Sequence, residues 1–140
     1  AYGWSTFGRR LSTYITAPVT GNYTFYVASD DYSRVLLSTD TCQGNTRQIA
    51  YLNQWTGQNS FIGKAGQQSA SIYLVAGDNY YLEVLHVNTG NNSHLSVAWA
   101  LPETSDPVII GSEYLTTTPS RTRADYPRKE VDLCGSSSCE

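Results

Sequence analysis

The sequence predicts an all-β protein: an antiparallel β-sandwich of jelly-roll type followed by an extended C-terminal arm. Three observations predict it. Apolar and polar residues alternate at period two in one segment after another. Turn residues (Gly, Asn, Asp, Pro) interrupt that alternation roughly every ten positions. No stretch of useful length carries apolar residues at i, i+3, i+4 and i+7, the spacing a long helix requires. About eight short strands separated in this way suit a sandwich or a barrel.

The elements follow in order. Residues 11–16 read as a strand that stops at Ala17-Pro18, and Val19-Thr20-Gly21-Asn22 has turn chemistry. Residues 22–28 alternate so that Tyr23, Phe25 and Val27 share a face. Residues 35–38 form a short buried strand and residues 47–52 another, followed by a Gly-, Gln- and Asn-rich loop over 53–68. Residues 71–75 alternate, Ala76-Gly77-Asp78-Asn79 turns, and residues 80–87 run back. A polar loop over 88–93 leads to Leu95, Val97 and Trp99, which close the core. From Thr116 the composition changes: two prolines and no apolar periodicity over 116–130 mark an extended arm. The chain therefore divides into a sandwich over 1–115 and an arm over 116–140 that ends in a Cys-Gly-Ser-Ser-Ser-Cys unit. An arm without an apolar face cannot build a core of its own, so it is expected to dock on a neighbouring copy or domain, with Val131 and Leu133 as anchors.

Composition bounds the function. At 140 residues the chain is one domain's worth; eleven Tyr, three Trp and three Phe make it rich in aromatics, Met is absent, and Tyr and Thr enrichment favours strands joined by turns. A net charge of −3 argues against an electrostatic grip on nucleic acid or anionic lipid, which requires a basic face. No apolar run approaches the roughly 20 residues of a membrane-spanning helix. Cysteine use points to an oxidising, extracellular setting: Cys134 and Cys139 can close a small disulfide ring, a reading favoured over a metal site because the short zinc spacings and a nearby His are missing. Cys42 then lacks an assigned partner. Asn22-Tyr23-Thr24 and Asn91-Asn92-Ser93 are glycosylation sequons and agree with that setting.

The chemically informative stretch is Ala28-Ser29-Asp30-Asp31, where a strand runs straight into two adjacent carboxylates. Like charges side by side repel unless something positive lies between them. A hard cation such as Ca²⁺, which takes six to eight oxygen ligands, meets that need. The plainer alternative is a pair of aspartates capping backbone amides at a turn. Enzyme readings lack parts: adjacent carboxylates cannot straddle a glycosidic bond, and there is no Gly-x-Ser-x-Gly elbow, HExxH helix or phosphate loop.

The order of these residues resembles a known family. The run from Arg9 to Phe25, then Ala28-Ser29-Asp30-Asp31, Val35 to Asp40, Ile72 to His86, Leu95 to Pro102 and Ile109 to Leu115 is similar to the protective-antigen-type domain, often called PA-fourteen, a β-sandwich found in adhesins, toxins, glycosidases and large extracellular proteins. In its sugar-binding members two consecutive Asp joined by a cis peptide bond chelate one Ca²⁺, with an Asn and backbone carbonyls from a second loop, and the ion coordinates vicinal sugar hydroxyls. The resemblance assigns those roles to Asp30, Asp31, Asn88 and the carbonyls of Gly90 and Asn92. It also implies residues 109–115 as the last strand. Two departures stand out. Family members usually carry a further strand-rich segment ahead of the position of Phe7, which implies either an incomplete core or one closed by another chain or an upstream segment; and Tyr32 follows the acidic pair where Gly is common. Tyr32, Trp55 and His94 are the aromatic candidates for stacking on sugar C–H groups, the alternative for each being ordinary core or rim. His86, within a strand, is expected to be a hydrogen-bonded structural histidine. The implied function is an extracellular, calcium-dependent carbohydrate-binding or adhesion module with a glycan or glycoprotein partner. The alternative is a structural subunit of a secreted fibre or matrix, joined to copies of itself through the arm and its cysteines.

Overall fold

In the computed structural model, residues 6–119 are described. They form two antiparallel sheets with a core between them, as the alternation predicts. The strands are β1 (Phe7–Thr16), β2 (Gly21–Asp30), β3 (Tyr32–Ser38), β4 (Thr46–Leu52), β5 (Ile72–Leu74), β6 (Asn79–Asn88), β7 (His94–Ala100), β8 (Val108–Ile109) and β9 (Leu115–Thr116). One sheet has the order β4-β3-β6-β1-β9 and the other β5-β2-β7-β8. Single 3-10 turns at Gln43–Asn45 and Ser112–Tyr114 are the helical elements among the described residues.

The inward positions of both sheets meet in an aromatic-centred core. Ile15, Tyr23, Phe25, Val27, Val35, Leu37, Leu52, Leu82, Val84 and Trp99 are all buried there. The Trp99 indole lies 5.2 Å from the Tyr23 ring, 6.0 Å from Phe25 and 5.4 Å from Tyr114, in tilted or edge-on arrangements that suit the ring quadrupoles.

Strand boundaries differ from expectation where polar residues serve the backbone ladder. The first strand begins at Phe7 rather than Leu11, because backbone pairing with β6 runs continuously from Phe7–Asn88 to Thr16–Asn79. The third begins at Tyr32 rather than Val35: Ser33 is buried and bonded to the Ser29 hydroxyl at 2.8 Å, while Arg34 donates to the Ser33 and Leu52 carbonyls and to Asn53. The expected last strand over 109–115 is two strands. β8 joins β7 in one sheet and β9 joins β1 in the other, so the chain crosses between sheets with Ile110 buried in the core on the way. Because β9 continues to Thr116, the sandwich reaches one residue past the expected boundary at 115. Only Tyr14 and Ile15 of β1 pair with β9; Phe7 to Thr13 present an edge that is unpaired among the described residues.

Strand β2 was expected to bury one face and buries two. Tyr26 and Ala28, on the outer side, pack with Phe61, Ala98 and Ala100 in a second apolar cluster. The cover is the loop over 53–68. It is held by Thr56 N–H on the Ser29 carbonyl (2.8 Å), Val27 N–H on the Gln67 carbonyl (3.1 Å) and Tyr51 N–H on the Gly66 carbonyl (2.9 Å). Gly66 has φ of 81° and lies so close to the Tyr51 ring that a Cβ there would collide with it.

Asn22 is the second residue of β2, opposite Tyr73 of β5, and not in a turn as its sequence context suggested; its side chain is exposed. Cys42 is buried in the β3–β4 connection, its N–H bonded to Asp40 Oδ1 at 2.7 Å. The expected Cys134–Cys139 ring and the Val131 and Leu133 anchors lie outside the described residues.

Phe61 is the one large apolar side chain that the loop contributes to the second cluster. Truncating it leaves a cavity against Tyr26 and Ala28, so Phe61→Ala is expected to cost about 3 kcal/mol of stability. Urea unfolding monitored by tryptophan fluorescence checks this.

Candidate functional site

Strands β2 and β3 follow one another with Asp30 and Asp31 at the junction, and the end of β6 lies beside them. The Asp30–Asp31 peptide bond is cis. Its carbonyl and its N–H are both bound by β6: His86 Nε2 lies 2.8 Å from the Asp30 carbonyl, and the Asp31 N–H donates to the Val87 carbonyl at 3.1 Å. The Asp31 carbonyl accepts from the buried Ser29 hydroxyl at 3.0 Å. Asp31 Oδ2 accepts twice from Thr89, from its N–H at 2.7 Å and from its hydroxyl at 2.6 Å.

These contacts separate two chemically identical groups. Burial, reinforced by contact with the Asp31 carboxyl, pushes Asp30 above the ordinary carboxylate range. The Thr89 hydroxyl and N–H hold Asp31 below it. Without a cation, negative charge is therefore costlier on Asp30 than on Asp31.

Asn88 is buried, and its Nδ2 donates to the Gly90 carbonyl at 2.7 Å. That bond assigns the donating end of the amide and leaves Oδ1 as the end able to serve as a ligand. No group of three or more His, Cys, Asp or Glu exists among the described residues. An ion here would rest on two carboxylates, an amide oxygen and main-chain carbonyls. That is the hard, all-oxygen set Ca²⁺ takes, so the residues present fit it.

Beside the pair lies a cleft of about 560 Å³, lined by Asp30, Asn92, Ser93, His94 and, across from them, Trp55 to Gln58. Trp55 is 63% exposed, an indole face open to the cleft rather than core. His94 is held by Nε2 against the Thr56 carbonyl at 2.8 Å, and its Nδ1 is buried without a hydrogen-bond partner. Of the three aromatic candidates, Trp55 and His94 thus share a cleft with Asp30. Tyr32, although 44% exposed, is not among its lining residues and pairs with Val87 on the neighbouring strand. His86 is structural as expected, and burial holds it below the ordinary imidazole range.

Sequence reading missed Thr89 and Thr56. Thr89 follows Asn88 directly and occupies a position where its hydroxyl and N–H converge on one oxygen. Thr56 ties the cleft's far wall to Ser29, next to the acidic pair, its Oγ1 accepting from the Ser29 N–H at 3.1 Å.

Residues 1–112 match the PA14 domain. The chain belongs to that family. Among curated proteins it is 32% identical over 101 residues to mouse (Mus musculus) N-acetyl-beta-glucosaminyl-glycoprotein 4-beta-N-acetylgalactosaminyltransferase 1, a match that spans 69% of this chain and 10% of that protein. Among solved structures, the epithelial adhesin 9 A domain of Candida glabrata in complex with Galb1-4GlcNAc superposes with a TM-score of 0.58 at 21% identity, over 74% of this chain and 48% of that one. The PA14 sugar-binding domain from an RTX adhesin gives 0.57 at 18% identity, over 81% and 56%. At such identities the likeness shows a shared fold.

The opposed shifts of the acidic pair have a readout. In metal-free protein, ¹³C carboxyl titration by NMR is expected to place the Asp30 midpoint above that of a free aspartate and the Asp31 midpoint below it. The signs for stability differ accordingly. The Asp30 contribution is present below its unfolded-state value and is lost as pH rises through the raised folded value. The Asp31 contribution is present above its unfolded-state value and is lost as pH falls through the depressed one. Thr89→Val is expected to bring the Asp31 midpoint back up toward the ordinary value.

Proposed function

We propose that this chain is an extracellular, calcium-dependent glycan-binding module that works without catalysis. The observation that carries the reading is the cleft in which Asp30, Asn92, His94 and Trp55 face a common space beside the second carboxylate, Asp31. In this reading Asp30 and Asp31 supply two negative charges to one Ca²⁺. Asn88 Oδ1 and the carbonyls of Gly90 and Asn92 complete the protein's share of the shell. When bound, the ion supplies open coordination positions for vicinal hydroxyls. The chain's own residues do the rest: the Trp55 indole offers an apolar face to sugar C–H groups, and the His94 ring, held against the Thr56 carbonyl, bounds the space the ligand would fill. The adhesin domains that share the fold, one of them solved with a bound disaccharide, support a glycan as the ligand class. No helix among the described residues is long and apolar enough to cross a membrane. The chain spans about a tenth of the mouse transferase it matches, so any role in a larger protein is part of the proposal.

The sequons join this reading. Asn22 is exposed on β2 at the β5 edge, away from the cleft, and is the glycan carrier of choice. Asn91 adjoins Asn92 and Ser93 in the cleft lining, where an attached glycan would crowd the ligand. The alternative role as a subunit of a fibre or matrix draws support from one feature, the unpaired Phe7-to-Thr13 edge of β1, on which a strand from a second copy could pair.

Isothermal titration of the full chain with Ca²⁺ tests the reading. One site is expected, with a melting temperature that rises with ion concentration by mass action. Asp31→Asn is expected to abolish both, whereas Asp106→Asn, at an exposed site outside the proposed shell, leaves them intact. Absence of heat and of stabilisation at millimolar Ca²⁺ overturns the calcium reading. Trp55→Ala is expected to lose glycan-array binding while keeping the calcium response.

A further inference from the structure

Arg9 lies on the part of β1 that has no outer neighbour among the described residues, and its backbone is paired opposite His86 of β6. An arginine there has solvent available on one side, yet its Nε is 3.0 Å from His86 Nδ1. The guanidinium carbon stands 5.6 Å from the centroid of the Phe7 ring, and that ring meets the His86 imidazole edge-on at 5.9 Å. Phe7 and Arg9 are two residues apart on one strand face and so close over the same imidazole together.

The donor chemistry leaves the imidazole one form. An arginine Nε–H can only donate, and a main-chain carbonyl can only accept. His86 Nδ1 must therefore carry the lone pair, and Nε2 must carry the hydrogen that it donates to the Asp30 carbonyl at 2.8 Å. The other neutral tautomer would set N–H against N–H on the arginine side and lone pair against lone pair on the carbonyl side. We propose that Arg9 is a positioning residue for the acidic pair: together with the Asp30 carbonyl it fixes the His86 tautomer whose Nε2–H holds the peptide between Asp30 and Asp31 in place. Its consequence for metal affinity rests on the calcium reading above.

The reach of this arrangement follows from what the Asp30–Asp31 peptide carries. Its N–H is held by the Val87 carbonyl and its C=O by His86, so losing the imidazole donor releases one of the two anchors of the unit that sets the spacing of both carboxylates. Partners that orient ligands from behind are typically worth about ten- to a hundredfold in metal affinity. Arg10, the next residue, points to the other face of β1 and pairs with Glu83 at 2.7 Å, which makes it the matched control for loss of a strand arginine.

The test uses the full chain, metal-free and then titrated with Ca²⁺. Long-range ¹H–¹⁵N correlation of the histidine rings is expected to show His86 as the pure Nε2–H tautomer in the unaltered protein. In Arg9→Met it should become a mixture of tautomers, and in Arg10→Met it should stay pure. Arg9→Met is further expected to speed hydrogen exchange of the Asp31 amide and to weaken Ca²⁺ binding about tenfold, with the fold intact by circular dichroism. A pure Nε2–H tautomer in Arg9→Met overturns the proposal, as does a tautomer change that leaves both the Asp31 amide and Ca²⁺ affinity untouched. Should the unaltered chain take up no Ca²⁺, the calcium reading falls, and the tautomer and Asp31 exchange decide the positioning role by themselves. If Arg9→Met does not fold, Arg9→Leu takes its place under the same criteria, and Arg9→Lys, which keeps a donor, is the conservative variant expected to keep the pure Nε2–H tautomer.

Discussion

Two carboxylates on consecutive residues repel, and the rest of this site is organised by the need to hold them together. The sandwich meets that need with the last turn of one strand. β6 delivers His86 to the Asp30 carbonyl, the Val87 carbonyl to the Asp31 N–H, and Asn88 to the space beside them, all within three residues. Because side chains alternate along a strand, His86 and Asn88 point inward while the Val87 main chain is free to pair with the β2–β3 junction. Thr89, the first residue past the strand, then neutralises part of the Asp31 charge with two hydrogen bonds. An acidic pair on a loop would splay apart. This one is fixed by the backbone of three strands.

The second constraint is the loop over 53–68, which converts an end of a sandwich into a cleft. Long loops without regular structure are uncommon in compact domains unless they serve a function. Here the loop buries Phe61 against the outer face of β2 and β7 and bonds to β2 along its length. Its first part, from Trp55 to Gln58, stands opposite the β6–β7 loop and makes the far wall. The energetics divide the labour: Phe61 and the main-chain bonds anchor the loop, and that anchoring lets the exposed Trp55 indole hold a position without packing into the core.

Much of this was legible in the sequence, for reasons that differ by element. Alternation at Tyr23, Phe25 and Val27, and at Leu95, Val97 and Trp99, is a direct imprint of a one-sided core, and the two-sheet architecture follows from it. The acidic pair was visible because like charges in sequence demand an explanation. What remained hidden depends on contacts distant along the chain. Tyr26 and Ala28 read as the exposed half of an alternating strand until a loop some 35 residues later covers them. Phe7 to Arg10 lack apolar alternation, since that half of β1 is held by its ladder with β6 and not by burial. Residues 109–115 looked like one strand because the two-residue strands at their ends, in different sheets, are too short to leave a periodic signal. Thr89 and Thr56 carried no motif, and their role exists only where the loops meet.

The position of Arg9 links these observations. It sits on the half-strand whose outer edge is unpaired, and it touches the imidazole that braces the acidic pair from behind. The site's stiffness on that side therefore comes from one ladder, β1 on β6, and from the Phe7–Arg9 clamp over His86, with no further strand to reinforce it among the described residues. The interior sheet strands β3 and β6 are braced on both sides, and the carboxylates inherit their rigidity from them. Edge and site are thus not independent surfaces: a strand added to the free edge of β1 would lie against the backbone that carries Arg9. Two hydrogen bonds, Arg9 Nε–H to His86 Nδ1 and His86 Nε2–H to the Asp30 carbonyl, join that edge strand to the acidic pair.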